Sequence, residues 1–144
     1  DVFIDSKSPK LLVNGDIYWE ENNYSSVKNL ISNWESNSMN ILLCLKKREE
    51  VMGLEVKGDF GLEKQNKKMF KLVLKEKPDF VFSGLQIVNP EIVMKFKKDV
   101  FSMKEVFLKQ IKNSKAFGVI DKNSWYHLGT KEDLTKIIEI LEVK

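Results

Sequence analysis

The stretch LLVNGDIYWE, residues 11–20, decides how the chain is read, because an apolar strand runs directly into a carboxylate. Its first residues are typical of a buried strand over 10–14, and Asn14-Gly15 is a turn-forming pair. Asp16 then stands where the strand ends. It could be a turn residue, a helix cap or a metal ligand, and the rest of the sequence has to separate these roles.

The composition indicates one globular domain over residues 1–144. The chain is 42% hydrophobic and 31% charged, which is ordinary for a domain with its own core. We find neither a membrane-spanning run nor a signal peptide, so we expect a cytoplasmic protein without a membrane partner. The first residue is Asp1 rather than Met, which suggests a piece of a longer protein.

The single cysteine, Cys44, lies inside the apolar run ILLCL. One cysteine excludes an internal disulfide framework and a cysteine-based zinc site. We therefore expect Cys44 to be a small buried side chain in a reducing compartment.

The charge pattern argues against nucleic acid as a partner. The net charge is +3, and lysines are densest over residues 63–77, where Lys71 and Lys75 alternate with apolar residues as on a half-exposed strand. Nucleic-acid binding favours a stronger basic patch with exposed aromatic residues. A phosphate- or RNA-binding surface on this strand is an alternative that rests on charge alone.

Strand and helix patterns alternate along the chain. Strands are predicted over residues 10–14, 39–47, 79–90 and 115–121, and a hairpin over 56–74. Amphipathic helices are predicted over residues 25–36, 102–113 and from Thr130 onward, the second with a capping box of Ser102 and Glu105. This order predicts an α/β layered domain with a mixed sheet.

Three strand ends share one pattern. The segments LLVN-GD, FVFS-G and SWYHLGT each bring an apolar or aromatic strand to a glycine beside a polar side chain. Ligands of open α/β sheets bind at the carboxyl ends of strands. We therefore expect these segments to meet and to form the floor of a pocket.

The ordered set LLVNGDIYWE, ILLCL, GDFGL, FVFSGLQIVNP, FSMKEVF and WYHLGTKEDL resembles the sugar-1-phosphate nucleotidyltransferases over nearly the whole chain. It looks most like the N-acetylmuramate-1-phosphate uridylyltransferase and mannose-1-phosphate guanylyltransferase branch. The resemblance implies a partial Rossmann-like layered fold and transfer of a nucleoside monophosphate from an NTP to a sugar 1-phosphate, with Mg²⁺ as cofactor. By resemblance, Asp16 is the catalytic metal ligand.

His127 stands where relatives usually carry a second metal-binding aspartate, two residues after a tryptophan, here Trp125. Neutral imidazole is a poor ligand for Mg²⁺ and suits softer metals. His127 could be a metal ligand, could bind a phosphate or a metal-bound water, or could be a strand residue without a role in the site.

The resemblance also implies substrate-binding residues. It assigns Asn14, together with Gly58, Asp59 and Gly84, to the sugar-facing part of the site. A turn glycine at position 58 and a bulge glycine at position 84 would explain these two residues equally well. Glu76-Lys77-Pro78 looks like a motif whose lysine contacts the sugar phosphate in relatives. The spacing from Pro78 to FSGLQ is shorter here, which puts the role of Lys77 in doubt.

The glycine-rich nucleotide loop of the family, roughly G-x-G-x-R followed by lysine, has no counterpart among the seven glycines. The resemblance therefore implies the C-terminal portion only, without the N-terminal nucleotide-binding strands. Such a chain would need a separate N-terminal piece to act on an NTP. A non-catalytic remnant or interaction module of the same fold is the alternative.

Overall fold

The computed structural model describes residues 8–21, 23–51, 57–66, 69–96 and 100–143. Within these residues, eight strands form two sheets: β1 (Lys10–Val13), β2 (Ile17–Glu20), β3 (Ile41–Lys47), β4 (Gly61–Lys64), β5 (Phe70–Val73), β6 (Phe80–Val88), β7 (Ala116–Ile120) and β8 (Ser124–His127). The larger sheet has the order β1-β6-β3-β7-β5-β4, and β2 pairs with β8 in a two-stranded ribbon. The helices are α1 (Ser26–Ser32), α2 (Pro90–Met94), α3 (Met103–Lys112) and α4 (Lys131–Glu142).

The larger sheet is mixed, which confirms the predicted fold class. The apolar strand β3 lies inside it, parallel to β7 and antiparallel to β6. Because β1 is also antiparallel to β6, β1, β3 and β7 run in the same direction. The carboxyl ends of these three strands therefore lie on the same side of the sheet. This is the side on which ligands bind in open α/β sheets.

Each face of the sheet buries its own core, because alternate residues of a strand point to opposite faces. On one face Leu42 and Cys44 of β3 pack with Leu30 of α1. On the other face Leu43 and Leu45 pack with Val106 and Phe107 of α3. The result is a layered arrangement of helix, sheet and helix, as the alternating elements predict.

Side-chain caps define the helix starts as predicted. Ser25 caps α1, Ser102 and Glu105 form the capping box of α3, and Thr130 caps α4 with Asp133. The predicted extent of the first helix is wrong, because it ends at Ser32.

Two of the predicted apolar stripes are only partly buried. In α1, Leu30 is fully buried but Ile31 is 56% exposed. In α4, Ile137 is buried whereas Leu134 and Ile138 are each 46% exposed. Helical spacing correctly places these residues on one side of a helix, but it does not determine how much of that side another layer covers.

The first strand differs from the prediction of a buried strand. Within the described part of the chain β1 pairs only with β6, so its other edge has no partner strand. Leu11 is 41% exposed and Val13 is 48% exposed. The sequence pattern is that of an inner strand, whereas the strand is at the edge here.

Among the described helices, none has the length and apolarity needed to cross a membrane.

Candidate active site

The three predicted segments meet beside the carboxyl end of β1, but the prediction of three strand ends is wrong for FVFS-G, because Gly84 lies within β6 (Phe80–Val88), which runs antiparallel to β1. The backbone N–H of Asn14 donates to the carbonyl of Gly84 over 2.9 Å. The N–H of Leu128, which follows β8, donates to the carbonyl of Asp16 over 2.7 Å. These backbone contacts join the segments that contain Asn14, Gly84 and His127.

Asp16 and His127 form a side-chain pair at this junction. His127 Nε2 lies 3.2 Å from Asp16 Oδ2, and about half of each side chain is exposed, 55% and 51%. On the other side of the ring, His127 Nδ1 accepts a hydrogen bond from the N–H of Gly129 over 3.3 Å. With Nδ1 as the acceptor, the neutral ring carries its proton on Nε2, the nitrogen that lies beside the carboxylate.

The two-stranded ribbon explains why these side chains are adjacent. Ile17 is paired with His127 in the register of β2 and β8, and Asp16 directly precedes Ile17. Further along the ribbon, Trp19 stacks on Trp125 with 4.9 Å between the ring centroids. The aromatic pair fixes the register, and the register brings Asp16 to His127.

A buried polar cluster supports the base of the ribbon. Asp121, only 1% exposed, accepts hydrogen bonds from Ser26 Oγ over 3.0 Å, from the indole N–H of Trp125 and from the N–H of Lys122. Asn123 Nδ2 adds a 2.6 Å bond to Ser26 Oγ. Sequence reasoning missed this cluster, and its only signal was an acid directly after the apolar strand AFGVI.

The side chains at this junction do not by themselves form a metal site. Apart from the gaps at 22, 52–56, 67–68 and 97–99, residues 8–143 contain no group of three or more side chains that could hold a metal. Mg²⁺ is commonly bound through one or two carboxylates together with phosphate oxygens and waters. Asp16 supplies one such carboxylate, and the imidazole of His127 is not a ligand that Mg²⁺ prefers.

Two of the predicted glycines are required by the protein's own packing. Gly84 has φ +88°, and a Cβ there would lie 2.9 Å from Ile17 Cδ1 and 3.0 Å from Asn14 Cβ. A Cβ at Gly58 would lie 2.1 Å from the carbonyl oxygen of Pro78. These contacts explain why positions 58 and 84 require glycine without any ligand. The sugar-facing role of the two glycines stays a prediction.

A cavity of about 280 Å³ lies beside Asn14, between β6 and the first turns of α3. Asp59 also lines it, with Oδ2 accepting a 3.0 Å hydrogen bond from the N–H of Phe82. Two of the predicted substrate-binding residues, Asn14 and Asp59, are therefore at one cavity. Further lining residues, not predicted from the sequence, are Phe60, Phe82, Gln86, Met103, Lys104 and Phe107.

Lys77 is not brought to this cavity. It lies in an exposed bend before β6 and is not among the lining residues. Its predicted contact with a sugar phosphate therefore has no support in the arrangement of the described residues.

A larger cavity of about 520 Å³ lies at the ends of β3 and β7 and includes Lys46 and Lys122. Lys46 Nζ donates to the carbonyl of Asn123 over 2.7 Å and to that of Asp121 over 3.2 Å. It also lies 3.6 Å from Glu50 Oε2. Its ammonium group is thus engaged within the protein rather than directed at a ligand.

Cys44 is not a candidate nucleophile. It is a free thiol, fully buried in β3. Burial, together with the Asp121 carboxylate, raises the pKa of Cys44 to about 12, so that the reactive thiolate is not populated near neutral pH.

Comparison by sequence identifies no relative, since no protein-family model and no curated protein matches. Comparison by structure identifies similar proteins of known structure. UDP-glucose pyrophosphorylase complexed with UDP-glucose superposes with a TM-score of 0.72 at 15% identity, over 96% of this chain and 57% of that one.

Two further structures are similar. The UTP-bound UGPase from Acinetobacter baumannii has a TM-score of 0.70 at 8% identity, over 94% of this chain and 51% of that one. The HddC protein from Yersinia pseudotuberculosis has a TM-score of 0.62 at 18% identity, over 97% and 58%. The chain thus spans just over half the length of the structures that it matches, and it has the fold of the sugar-1-phosphate nucleotidyltransferases, as the sequence resemblance predicts.

Proposed function

We propose that residues 1–144 are one unit of a sugar-1-phosphate nucleotidyltransferase, the part that holds the acceptor sugar and the metal. The reaction would convert an NTP and a sugar 1-phosphate into an NDP-sugar and pyrophosphate. The observation that carries the proposal is the position of Asp16, just after the carboxyl end of β1, beside His127 and two residues after Asn14, which lines the cavity together with Asp59.

The transfer is a displacement at phosphorus. An oxygen of the sugar phosphate forms a bond to the α-phosphorus of the NTP while the bond to the bridging oxygen of the β-phosphate breaks, and its electron pair leaves with pyrophosphate. Little covalent chemistry falls to the protein, so catalysis depends on positioning the reactants and neutralising charge.

Asp16 would hold Mg²⁺ against the phosphates. The ion, when bound, supplies Lewis-acid stabilisation of the charge that develops on the phosphoryl oxygens. Asp16 is half-exposed and lies on a turn whose Gly15 has no atom within 4 Å of an added Cβ, which leaves room for a phosphate to approach the backbone.

His127 would orient the carboxylate of Asp16. Its Nε2 lies 3.2 Å from Asp16 Oδ2 and leaves the other oxygen, Oδ1, for the cation. The second ring nitrogen is held by Gly129, so the ring orientation is set from the protein side.

The nucleotide part of the site would come from a further piece of sequence, either on the same polypeptide or on a separate N-terminal chain. The similar structures are nearly twice as long as this chain, and the free edge of β1 offers backbone N–H and C=O groups for another strand. A cytoplasmic location fits a lone cysteine that is free and buried.

An assay of pyrophosphate release tests the proposal. The 144-residue chain would be mixed with Mg²⁺, an NTP and sugar 1-phosphates, alone and with a supplied N-terminal half of a nucleotidyltransferase. We expect product only in the complemented mixture. Robust turnover by the chain alone would contradict the proposal that the nucleotide part of the site lies on another piece of sequence. The absence of turnover in every complemented mixture would contradict the proposed reaction.

Asp16→Asn in the complemented enzyme tests the metal role. We expect transfer to fall by about 100-fold or more, because charge stabilisation by the metal is worth several kcal/mol. Glu139→Gln, which removes an exposed carboxylate of α4, is the matched control and should leave the rate unchanged. A loss of only a few fold for Asp16→Asn would rule out the assignment.

The second candidate is a non-catalytic interaction module of this fold. Two observations favour it: the chain spans just over half of the similar structures, and histidine stands where the resemblance predicts a second carboxylate. It predicts that the chain binds a protein partner through β1 and that neither Asp16→Asn nor added Mg²⁺ changes the affinity for that partner.

A further inference from the structure

Gln86 presents an unpaired polar atom inside the protein. Its side chain is 4% exposed, and Oε1 has no hydrogen-bond partner among the described residues. Gln86 lies on β6 opposite Leu12 and Leu43, within a run of apolar strand residues. Buried polar atoms in native proteins are nearly always paired, so an orphan of this kind is a sign of a missing ligand.

Gln86 lines the cavity that also contains Asn14 and Asp59. Its volume of about 280 Å³ lies just below the range of about 300–1,000 Å³ typical of pockets for drug-sized ligands. The cavity therefore suits a ligand of the size of one monosaccharide.

The walls of the cavity are aromatic, and its rim is polar. Phe107 packs against Phe82 with 5.6 Å between the centroids and against Phe60 with 6.3 Å. Both pairs are edge-to-face. Asp59 and Lys104 add one charge of each sign. Apolar C–H faces bounded by hydroxyl groups, the chemistry of a pyranose ring, match such a lining.

We propose that Gln86 is a specificity-determining residue that binds one ring hydroxyl of the acceptor sugar in this cavity. The proposal rests on the function proposed above and narrows its substrate class to sugar 1-phosphates with a free hydroxyl at the buried ring position. A hydroxyl both donates and accepts, so it satisfies the amide with either assignment of its oxygen and nitrogen.

If Gln86 binds a ring hydroxyl, the chain should discriminate strongly between a sugar 1-phosphate and its deoxy analogue. A site that hydrogen-bonds a substrate hydroxyl leaves its own buried group unpaired when an analogue lacks that hydroxyl, and rejects the analogue. We therefore expect one deoxy sugar 1-phosphate to bind the chain about 10- to 100-fold more weakly than the parent sugar.

The test uses Gln86→Met, which keeps the length of the side chain and removes its polar atoms. Binding of α-D-glucose 1-phosphate, mannose 1-phosphate, N-acetylglucosamine 1-phosphate and their monodeoxy analogues is measured by NMR titration, without nucleotide. We expect wild type to discriminate against one deoxy analogue and Gln86→Met to bind that analogue and its parent equally.

Stability separates ligand binding from a structural role. Removing an unsatisfied buried atom should leave the melting temperature of the free chain unchanged or higher. Gln110→Met is the matched control, because Gln110 is also 4% exposed but its Oε1 accepts a 2.9 Å hydrogen bond from Asn40. We expect this control to lower the melting temperature and to leave sugar binding unchanged.

The proposal is overturned if Gln86→Met lowers the melting temperature as Gln110→Met does. It is also overturned if no sugar 1-phosphate of the panel binds wild type at millimolar concentration, or if discrimination survives in Gln86→Met. The two proposals can fail separately: transfer with unchanged discrimination refutes the role of Gln86 alone, and Gln86-dependent binding without any transfer refutes the reaction alone. The absence of any binding would refute both.

Discussion

At the scale of single residues, the candidate site depends on one carboxylate and one imidazole. The imidazole lies 3.2 Å from one carboxylate oxygen of Asp16, and the two side chains are half-exposed. Solvent access lets ligands exchange at this pair. It also means that the pair itself contributes little to stability.

Replacing His127 by aspartate is predicted to strengthen Mg²⁺ binding. His127→Asp puts a second hard oxygen ligand and a second negative charge beside Asp16, in place of an imidazole that lies 3.2 Å from one carboxylate oxygen. We expect the Mg²⁺ concentration for half-maximal transfer by the complemented enzyme to fall about tenfold. His127→Asn is the neutral control. An unchanged Mg²⁺ requirement in His127→Asp would contradict the metal position.

Asp121 is predicted to carry more stability than any exposed acid. Asp121→Ala would leave the buried donors of Ser26 and Trp125 without an acceptor. We expect a loss of about 2–4 kcal/mol in the free energy of unfolding, measured by urea denaturation. Asp121→Asn keeps an acceptor oxygen and should lose less. Equal losses in both variants would show that charge rather than pairing matters.

At the scale of elements, α1 depends on an acid that precedes it. Glu21 Oε1 accepts from the N–H of Ser26 over 2.9 Å and from the indole N–H of Trp19 over 3.2 Å. Glu21 is exposed, and the desolvation that would raise its pKa is outweighed by hydrogen bonds from Trp19, from Ser25 and from the backbone at the start of α1, which lower the pKa below the ordinary 4.5.

This shift predicts the sign of an acid effect. Because the pKa of Glu21 is lower in the folded state, Glu21 stabilises the fold above about pH 4.5, and this contribution is lost as the pH falls through the folded-state value. Glu21→Gln should therefore be less stable than wild type at pH 7 and show a smaller loss between pH 5 and pH 3 in thermal melts. Glu142→Gln, at the exposed end of α4, should behave as wild type.

Apolar runs and caps made most elements predictable. The run ILLCL identified β3, and Ser102 with Glu105 identified the start of α3, because these signals act within a few residues. Exposure was less predictable: Leu11 and Val13 follow a buried-strand pattern, yet whether a strand is covered depends on elements far away in sequence or outside the chain.

The site was predictable where backbone geometry leaves a local mark. Gly84 marked the irregular point of β6, and Asp16 marked the end of β1. Gln86 and Asp121 were missed because a polar residue within or after an apolar strand does not reveal, from the sequence, which groups its side chain contacts in the folded protein. Only the register and the packing of α1 and α3 supply that information.

At the scale of the whole molecule, the edge of β1 that has no partner strand among the described residues is the main liability. An apolar edge strand with open backbone groups is a template for pairing with another strand. Its exposed Leu11 and Val13 lie on the same face of the sheet as α1, since they pair with Ile87 and Leu85 of the core on that side.

Val13→Lys is predicted to reduce self-association of the isolated chain and to impair its complementation by an N-terminal half, because a charge on an edge strand opposes further pairing. Sedimentation velocity would measure the first effect and pyrophosphate release the second. The control is Leu74→Lys, since Leu74 is 60% exposed in the loop after β5. If both variants associate as wild type does, β1 is not the association surface.

The buried thiol of Cys44 makes the opening of the central strand β3 measurable as a rate of alkylation. With a pKa of about 12 and no solvent exposure, it can react with an alkylating reagent only after the central strand β3 opens. The rate of alkylation is therefore a measure of that opening, free of background from other thiols because the sequence has one cysteine. A partner that pairs with β1 should slow alkylation at Cys44, two strands away, so that the rate measured with a purified, cysteine-free partner would report docking.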